Sequence, residues 1–326
     1  DAGLVSGTAI FYNDDITVTA TGEASYPGYP VESPTHWRAR KTDTTNYNQV
    51  VYINEKNNVT LDGLDIAHDG DYSGRQFRVV ATKSAVSADT ITVKNSVLHR
   101  TVALDGETII GFLAYQCLTG YSANLENVQI CACSYGIYVS PNTGQTGTVN
   151  LNSSTVVKNA RGFYHDQPGD LTINMLNSVV AGNTTADIYK GGSSGDIILD
   201  AHNSIDSDGS IETYDGSAYG CKTATAVVDS AEPGVNRVAF MNITTRSYDL
   251  RLREHINNIA YNMHKSTSGA GLTLPDTDIS GQTRLQHGFV DCGSYEIDAQ
   301  TKKIFDKVTS FFGKVIKYIF GKPLID

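Results

Sequence analysis

One phrase recurs through the middle of this chain, and it constrains the fold more than any other feature. Alternating apolar residues run to a small or polar position, the phase changes, and a second short apolar set follows. The copies are "ITVKNSVLHR" from Ile91, "ANLENVQICA" from Ala123, "VNLNSSTVVKN" from Val149, "LTINMLNSVVAGN" from Leu171 and "IILDAHNSIDS" from Ile197. Aligned at the phase change they fall on Gly63, Asn95, Asn127, Ser153, Asn177 and Asn203, at intervals of 32, 32, 26, 24 and 26 residues. Alternation at period two is a half-buried strand, and the polar residue at the break marks a bend onto a new sheet. Between phrases a third short strand reads "FRVVA" at 77, "GFLAY" at 111, "GIYVS" at 136, "GFYHD" at 162 and "DIYKG" at 187.

Three strands per period, separated by Gly, Asn, Asp and Ser turns, predict an all-β solenoid: a single-stranded parallel β-helix. A lone coil cannot bury its inward residues until the next coil covers them, which is why the phrase must repeat. Equivalent Asn side chains at successive bends then bond along the axis, so these asparagines read as a bend ladder. The body is expected over residues 51–298, between an irregular N-terminal cap (1–50) and a C-terminal amphipathic helix (299–326).

Of the 326 residues 40% are hydrophobic and only 18% charged, which suits short strands and turns. The net charge of −10 argues against nucleic-acid partners, which select a basic footprint. Cys117, Cys131, Cys133, Cys221 and Cys292 are odd in number and irregularly spaced, so they form neither a disulfide framework nor a zinc pattern. Cys131 and Cys133, two apart on a strand, are expected on one face as small buried side chains. No apolar run approaches the ~20 residues of a transmembrane segment. A chain that begins at Asp1 fits a processed, exported or virion protein, or a fragment.

Residues 276–296 read "DTDISGQTRLQHGFVDCGSYE". Asp278, Gly281 and Arg284, followed by Asp291, Gly293, Tyr295 and Glu296, resemble the D-x-x-G-x-x-R and D-x-G-x-Y-E elements that close bacterial β-helix repeat surface proteins, the choice-of-anchor group of the pectate-lyase-like superfamily. "YDLRL" at 248 is similar to that family's approach to its end. Where the family has a serine-proline-alanine-isoleucine-aspartate phrase, this chain has "NNIAYNMHKST" from Asn257. The resemblance covers about residues 50–298 and implies a right-handed coil and export.

The two ends differ from the body. Residues 1–50 hold Pro27, Pro30, Pro34 and the only tryptophan, Trp37, and are expected to cover the open sheet edges at one end of the coil. In the tail, Ile304, Phe305, Val308, Phe311, Phe312, Val315, Ile316 and Ile319 recur at helical spacing, with Lys302, Lys303, Lys307, Lys314, Lys317 and Lys322 on other positions. Three fates fit such a helix: capping the last coil, docking on another subunit, or lying on a membrane surface.

Two charged clusters are candidate sites. "KNARGFYHDQPGD" offers Lys158, Arg161, His165 and Asp166, with Asp170 nearby. A lyase needs a base to remove the proton beside a carboxylate and a cation to hold the resulting charge. "HDGDYSGR" offers Asp69 and Asp71 as calcium ligands, with His68 and Arg75 beside them, but not at the spacing of an EF-hand loop. Asp- and Gly-rich turns also arise for conformational reasons, and that is the expected reading of both clusters. Sequons stand at Asn58, Asn152, Asn183 and Asn242.

The expectation is a non-catalytic extracellular or cell-surface protein without a cofactor. It is expected to self-assemble into a homo-oligomer or filament through its coil ends and tail, with glycans or a cell surface as further partners. A polysaccharide lyase or glycosidase is the alternative, and a phage tail-spike or virion decoration protein a further one.

Overall fold

The computed structural model describes residues 9–11, 17–19, 38–41, 48–55, 57–68, 76–83, 89–100, 108–215, 218–229, 234–243, 249–254, 257–261, 263, 266–284 and 290–296. They are nearly all β, in three long parallel sheets that each receive every third strand, an arrangement consistent with a parallel solenoid. Sheet one holds Ala9–Phe11, Asn48–Asn54, Gln76–Lys83, Thr108–Cys117, Tyr135–Pro141, Arg161–His165 and Ala186–Lys190. Sheet two holds Thr17–Thr19, Val59–Asp62, Thr90–Lys94, Ser122–Glu126, Thr146–Asn152, Asp170–Leu176 and Ile197–His202. Sheet three runs through Arg38–Lys41, Asp65–His68, Val97–His99, Gln129–Cys131, Thr155–Val157, Val179–Ala181 and Ile205–Asp206 to Lys222–Thr223. All the "third" strands of the sequence reading lie in sheet one.

The alignment residues sit at the bend from sheet two to sheet three, and every one has left-handed backbone: φ is 74° at Gly63, 49° at Asn95, 52° at Asn127, 50° at Ser153, 52° at Asn177 and 50° at Asn203. Among residues with a Cβ, Asn tolerates this conformation best, and its amide also ties one coil to the next. Asn127 donates to Asn95 Oδ1 (3.0 Å) and Asn95 to Asp62 Oδ1 (2.8 Å). Serines one position later make a buried second ladder. The backbone N–H groups of Leu64, Val128, Ser154 and Ser178 donate to the hydroxyls of Ser96, Ser154, Ser178 and Ser204. Groups that the bend removes from the sheets are thus paired from the side.

Inside, like stacks on like. Val51, Val80, Phe112, Ile137, Phe163 and Ile188 stand in register on sheet one, and Leu61, Val93, Leu125, Leu151, Met175 and Ala201 on sheet two. All belong to one buried core. Burying a side chain of this size contributes about 1.5–3 kcal/mol, and the register lets each coil collect that gain against two neighbours.

From Asp65–His68 to Ile205–Asp206, sheet three is buried on both faces, with His99 half-buried. Its outward Cys131, Val157, Val179, Ala181 and Ile205 pack under Val238, Phe240, Leu250, Leu252, Ala260 and Cys292, from the three-stranded sheet Ala226–Val228, Arg237–Asn242 and Asp249–Leu252 and the chain beyond it. The closing motif lies here as well. Arg284, 1% exposed, donates to Asn127 Oδ1 and to the Ser153 carbonyl, while Asp278 accepts from Ser280, Gln282 and the backbone N–H of Glu296.

One expectation changes. Cys131 and Cys133 are both buried but do not share a face: the strand ends at Cys131, Ala132 turns the chain with φ 60°, and Cys133 enters the inner core while Cys131 packs outside. At the other end, the described strands of residues 1–50 enter the three sheets as their outermost members, and the line drawn at residue 50 falls inside the strand Asn48–Asn54. The tail helix expected over 299–326 lies outside the described residues.

The last coil is closed by the short helix Ser210–Tyr214, whose Ile211 is buried in the core with Tyr214 and Ala218 packed against it. The edge N–H groups of Asp187, Ile188 and Ala201, which a further coil would have paired, instead donate to Asp208 Oδ2, Ser210 Oγ and Asp215 Oδ2. Burial pushes the Asp187 carboxyl up to about 6, against the hydrogen bonds it accepts from Ser207 and Asn183 and with the charge of Asp208 adding to the rise. The folded chain then binds this proton more tightly than the unfolded chain, whose value stays near the ordinary 3.8. Stability from this group is therefore complete below the lower value and declines as pH rises to the upper one, by at most about 3 kcal/mol. Asp187→Asn is expected to abolish that decline, read as the difference between urea midpoints at about pH 4.5 and about pH 7.

Candidate functional site

The strand Arg161–His165 divides the first candidate cluster. Phe163 faces the core, and His165, two residues on, is fully buried beside the core residue Val139, its Nδ1 3.3 Å from the Val139 carbonyl. Burial lowers its pKa, outweighing the backbone contacts that raise it, so the ring is held neutral and away from solvent. Lys158 sits at the bend before the strand with φ 59°. Asp170 opens the next strand of sheet two, where Oδ1 accepts the Asp196 N–H (2.8 Å). Only Arg161 and Asp166 meet on the outer side of sheet one, joined through Tyr164.

The Arg161 guanidinium lies over three tyrosine rings, 5.4 Å from the centroid of Tyr135, 5.0 Å from Tyr164 and 4.3 Å from Tyr189. Tyr135 stacks on Tyr164 at 4.1 Å and Tyr164 on Tyr189 at 5.6 Å. Among the described residues the guanidinium has no carboxylate partner, and its Nε is buried without an acceptor. Each ring contact contributes about 0.5–1 kcal/mol at a half-exposed site, so the cation is positioned without being neutralised.

Asp166 closes one side. It accepts from Tyr138 OH (2.7 Å), Tyr164 OH (2.6 Å) and Gln167 Nε2 (2.9 Å). Partial burial raises its pKa, but the bonds from Tyr164, Gln167 and Tyr138 outweigh this and leave it below the ordinary value. Burial, followed by the pairing with Asp166, raises both phenols. Asp166 is thus a fixed anion that orients two hydroxyls and has no role as a proton donor. The sheet continues away from this cluster as an apolar strip of Ala81, Ile110 and Leu113 flanked by Tyr52.

The tyrosines were missed as a set, although the sequence marks them: Tyr138, Tyr164 and Tyr189 hold the third place in "GIYVS", "GFYHD" and "DIYKG". Asp69 and Asp71, the calcium candidates, lie outside the described residues, as does Arg75; His68 is buried. Of the sequons, Asn152 donates its amide to the Thr273 carbonyl, and Asn183 donates to the Val156 carbonyl and Asp187. Glycosylation replaces one of the two amide hydrogens, so at Asn183 it would cost one of these bonds. No helix among the described residues is long and apolar enough to cross a membrane. No protein-family model, curated protein or solved structure matches this chain.

Proposed function

We propose that this chain is a non-catalytic surface protein, a right-handed parallel β-helix outside the cell or on a virion, that holds a carboxylate-bearing glycan on the outer face of sheet one. The observation that carries this reading is Arg161: a cation without a carboxylate partner, fixed over Tyr135, Tyr164 and Tyr189. A guanidinium so placed accepts an anionic group in its plane, and neighbouring aromatic rings cover the apolar faces of sugars. Bond cleavage is not favoured by the arrangement, because the histidine that would act as base is fully buried on the core side of the strand, and the Asp166 carboxylate is taken up by Tyr138, Tyr164 and Gln167. The closed last coil also weighs against a head-to-tail filament built through that end.

Acidic and neutral polysaccharides should be tested for binding and turnover together. Arg161→Ala is expected to weaken binding of the acidic chain by roughly 10- to 100-fold, the value of a charge-assisted hydrogen bond of about 1.5–3 kcal/mol. His165→Ala should leave binding unchanged wherever the fold survives. Turnover that disappears with His165→Ala would favour the lyase or glycosidase reading instead.

A further inference from the structure

The hydrogens of two phenols in the Arg161 cluster are already committed. A carboxylate carries acceptors only, so at both of its tyrosine contacts Asp166 is the acceptor: Tyr138 donates to Oδ1 at 2.7 Å and Tyr164 to Oδ2 at 2.6 Å. A phenol has one hydrogen to give. What Tyr138 and Tyr164 still offer a ligand is therefore lone pairs alone, and Gln167 Nε2 already approaches the Tyr138 oxygen at 3.3 Å. Tyr138, Tyr164 and Asp166 are each only half-buried, so a ligand can reach them.

The surroundings hold this arrangement in place. Gln167 Nε2 also donates to Asp166 Oδ1 at 2.9 Å. Gly191 of the next coil packs so closely that a Cβ there would stand 3.0 Å from Asp166 Cβ. Lys190, in register with His165, is turned to Asp196 at 2.8 Å, and Arg161 lies over the ring of Tyr164. Asp166 is thus balanced by three hydrogen bonds and keeps its charge, which fixes the direction of both phenol hydrogens. Its lowered pKa and the raised phenols agree with this.

The two halves of the site therefore ask for opposite groups. Arg161 presents donors, and Tyr138 and Tyr164 present acceptors. The guanidinium carbon is 5.0 Å from the centre of the Tyr164 ring, and the phenol oxygen stands at the edge of that ring, so a single sugar residue meets both. Resting on the glycan reading above, we propose that Asp166 sets the specificity of the site. By holding both phenols as acceptors it selects a sugar with a free hydroxyl beside its carboxylate and rejects one whose hydroxyl is blocked. A blocked hydroxyl brings only an acceptor, and two acceptors face to face leave both unsatisfied.

The experiment compares alginate and polygalacturonate with forms of each whose ring hydroxyls are O-methylated and whose carboxylates are free, titrated by calorimetry into the full-length chain. The wild type is expected to bind the free form about tenfold or more tighter than the methylated one. Asp166→Asn puts one acceptor and one donor where the aspartate has two acceptors, so one phenol recovers a hydrogen to point outward. The preference should then disappear, whatever the loss of a negative charge does to both affinities. Tyr164→Phe should weaken the free form and not the methylated one. Equal binding of the two forms by the wild type, with Arg161→Ala still weakening both, overturns the role of Asp166 and leaves the glycan reading intact. So does a preference that survives Asp166→Asn. Failure of both polymers to bind in either form overturns the glycan reading, and this inference with it.

Discussion

Gly162→Ala is expected to destabilise the protein by about 3 kcal/mol or more, although it adds a single methyl group. A Cβ at this position would lie 2.4 Å from the Asp187 carbonyl oxygen, 2.7 Å from Val180 Cγ1 and 2.8 Å from Asn183 Nδ2. The first contact is backbone of the next coil, and the last is an amide already bonded to Val156 and Asp187. Neither can move without parting two coils that share the pairs Arg161↔Ala186, Phe163↔Ile188 and Tyr164↔Tyr189. The comparison substitution is Gly144→Ala, where φ is +70° and nothing lies within 4 Å of the new Cβ. There the loss should be the backbone term alone, about 1–2 kcal/mol. Urea denaturation of both variants separates the two mechanisms, and Gly162→Ala should also weaken ligand binding because Arg161 and Tyr164 flank it.

Crowding at a glycine shows what kind of information the sequence carries. The bends were legible because one residue, Asn95 or Asn177 for example, does two jobs there: it accepts left-handed backbone and bonds along the axis. A requirement of that kind recurs at each coil and so appears as a repeat. The first coil was not legible, because three- and four-residue strands such as Thr17–Thr19 and Arg38–Lys41 are too short to show a period, and prolines separate them. The cover over sheet three is not periodic either; Phe240, Leu250 and Cys292 meet a common surface from unrelated positions in the chain. At the candidate site, alternation from Phe163 already places His165 inward, yet "HD" reads as a polar pair unless the period is carried through it. Arg161 and Asp166 could be named from the sequence, but the tyrosine cage depends on three coils being in register.

Arg284→Met is expected to cost about 3–5 kcal/mol, the usual loss when one partner of a buried charge network is removed. The methionine fills much of the same volume, so the loss is mainly electrostatic. Asp278, Asp291 and Glu296 are all nearly inaccessible, and Arg284 sits among them with Nη1 4.0 Å from Glu296 Oε1. Burial lowers the guanidinium pKa, and Glu296, followed by Asp278, holds it up. Without the cation, three acids remain in a site that water does not reach, and Asn127 and Ser153 lose a donor. Arg284→Lys should rescue little, because Nη2 donates to Asn127 and Ser153 while Nη1 stands 4.0 Å from Glu296 Oε1, and a single ammonium cannot occupy both places. The cysteines report where the structure opens. Cys131 and Cys292 are buried between sheet three and its outer cover, whereas Cys117 and Cys133 are in the inner core, where burial pushes both thiols up to about 12. If the arginine clasps the cover to the coils, an aromatic disulfide reagent under native conditions should reach Cys131 and Cys292 in Arg284→Met while Cys117 and Cys133 stay silent. Equal reactivity of all four thiols would mean that the coils and the cover unfold as one unit.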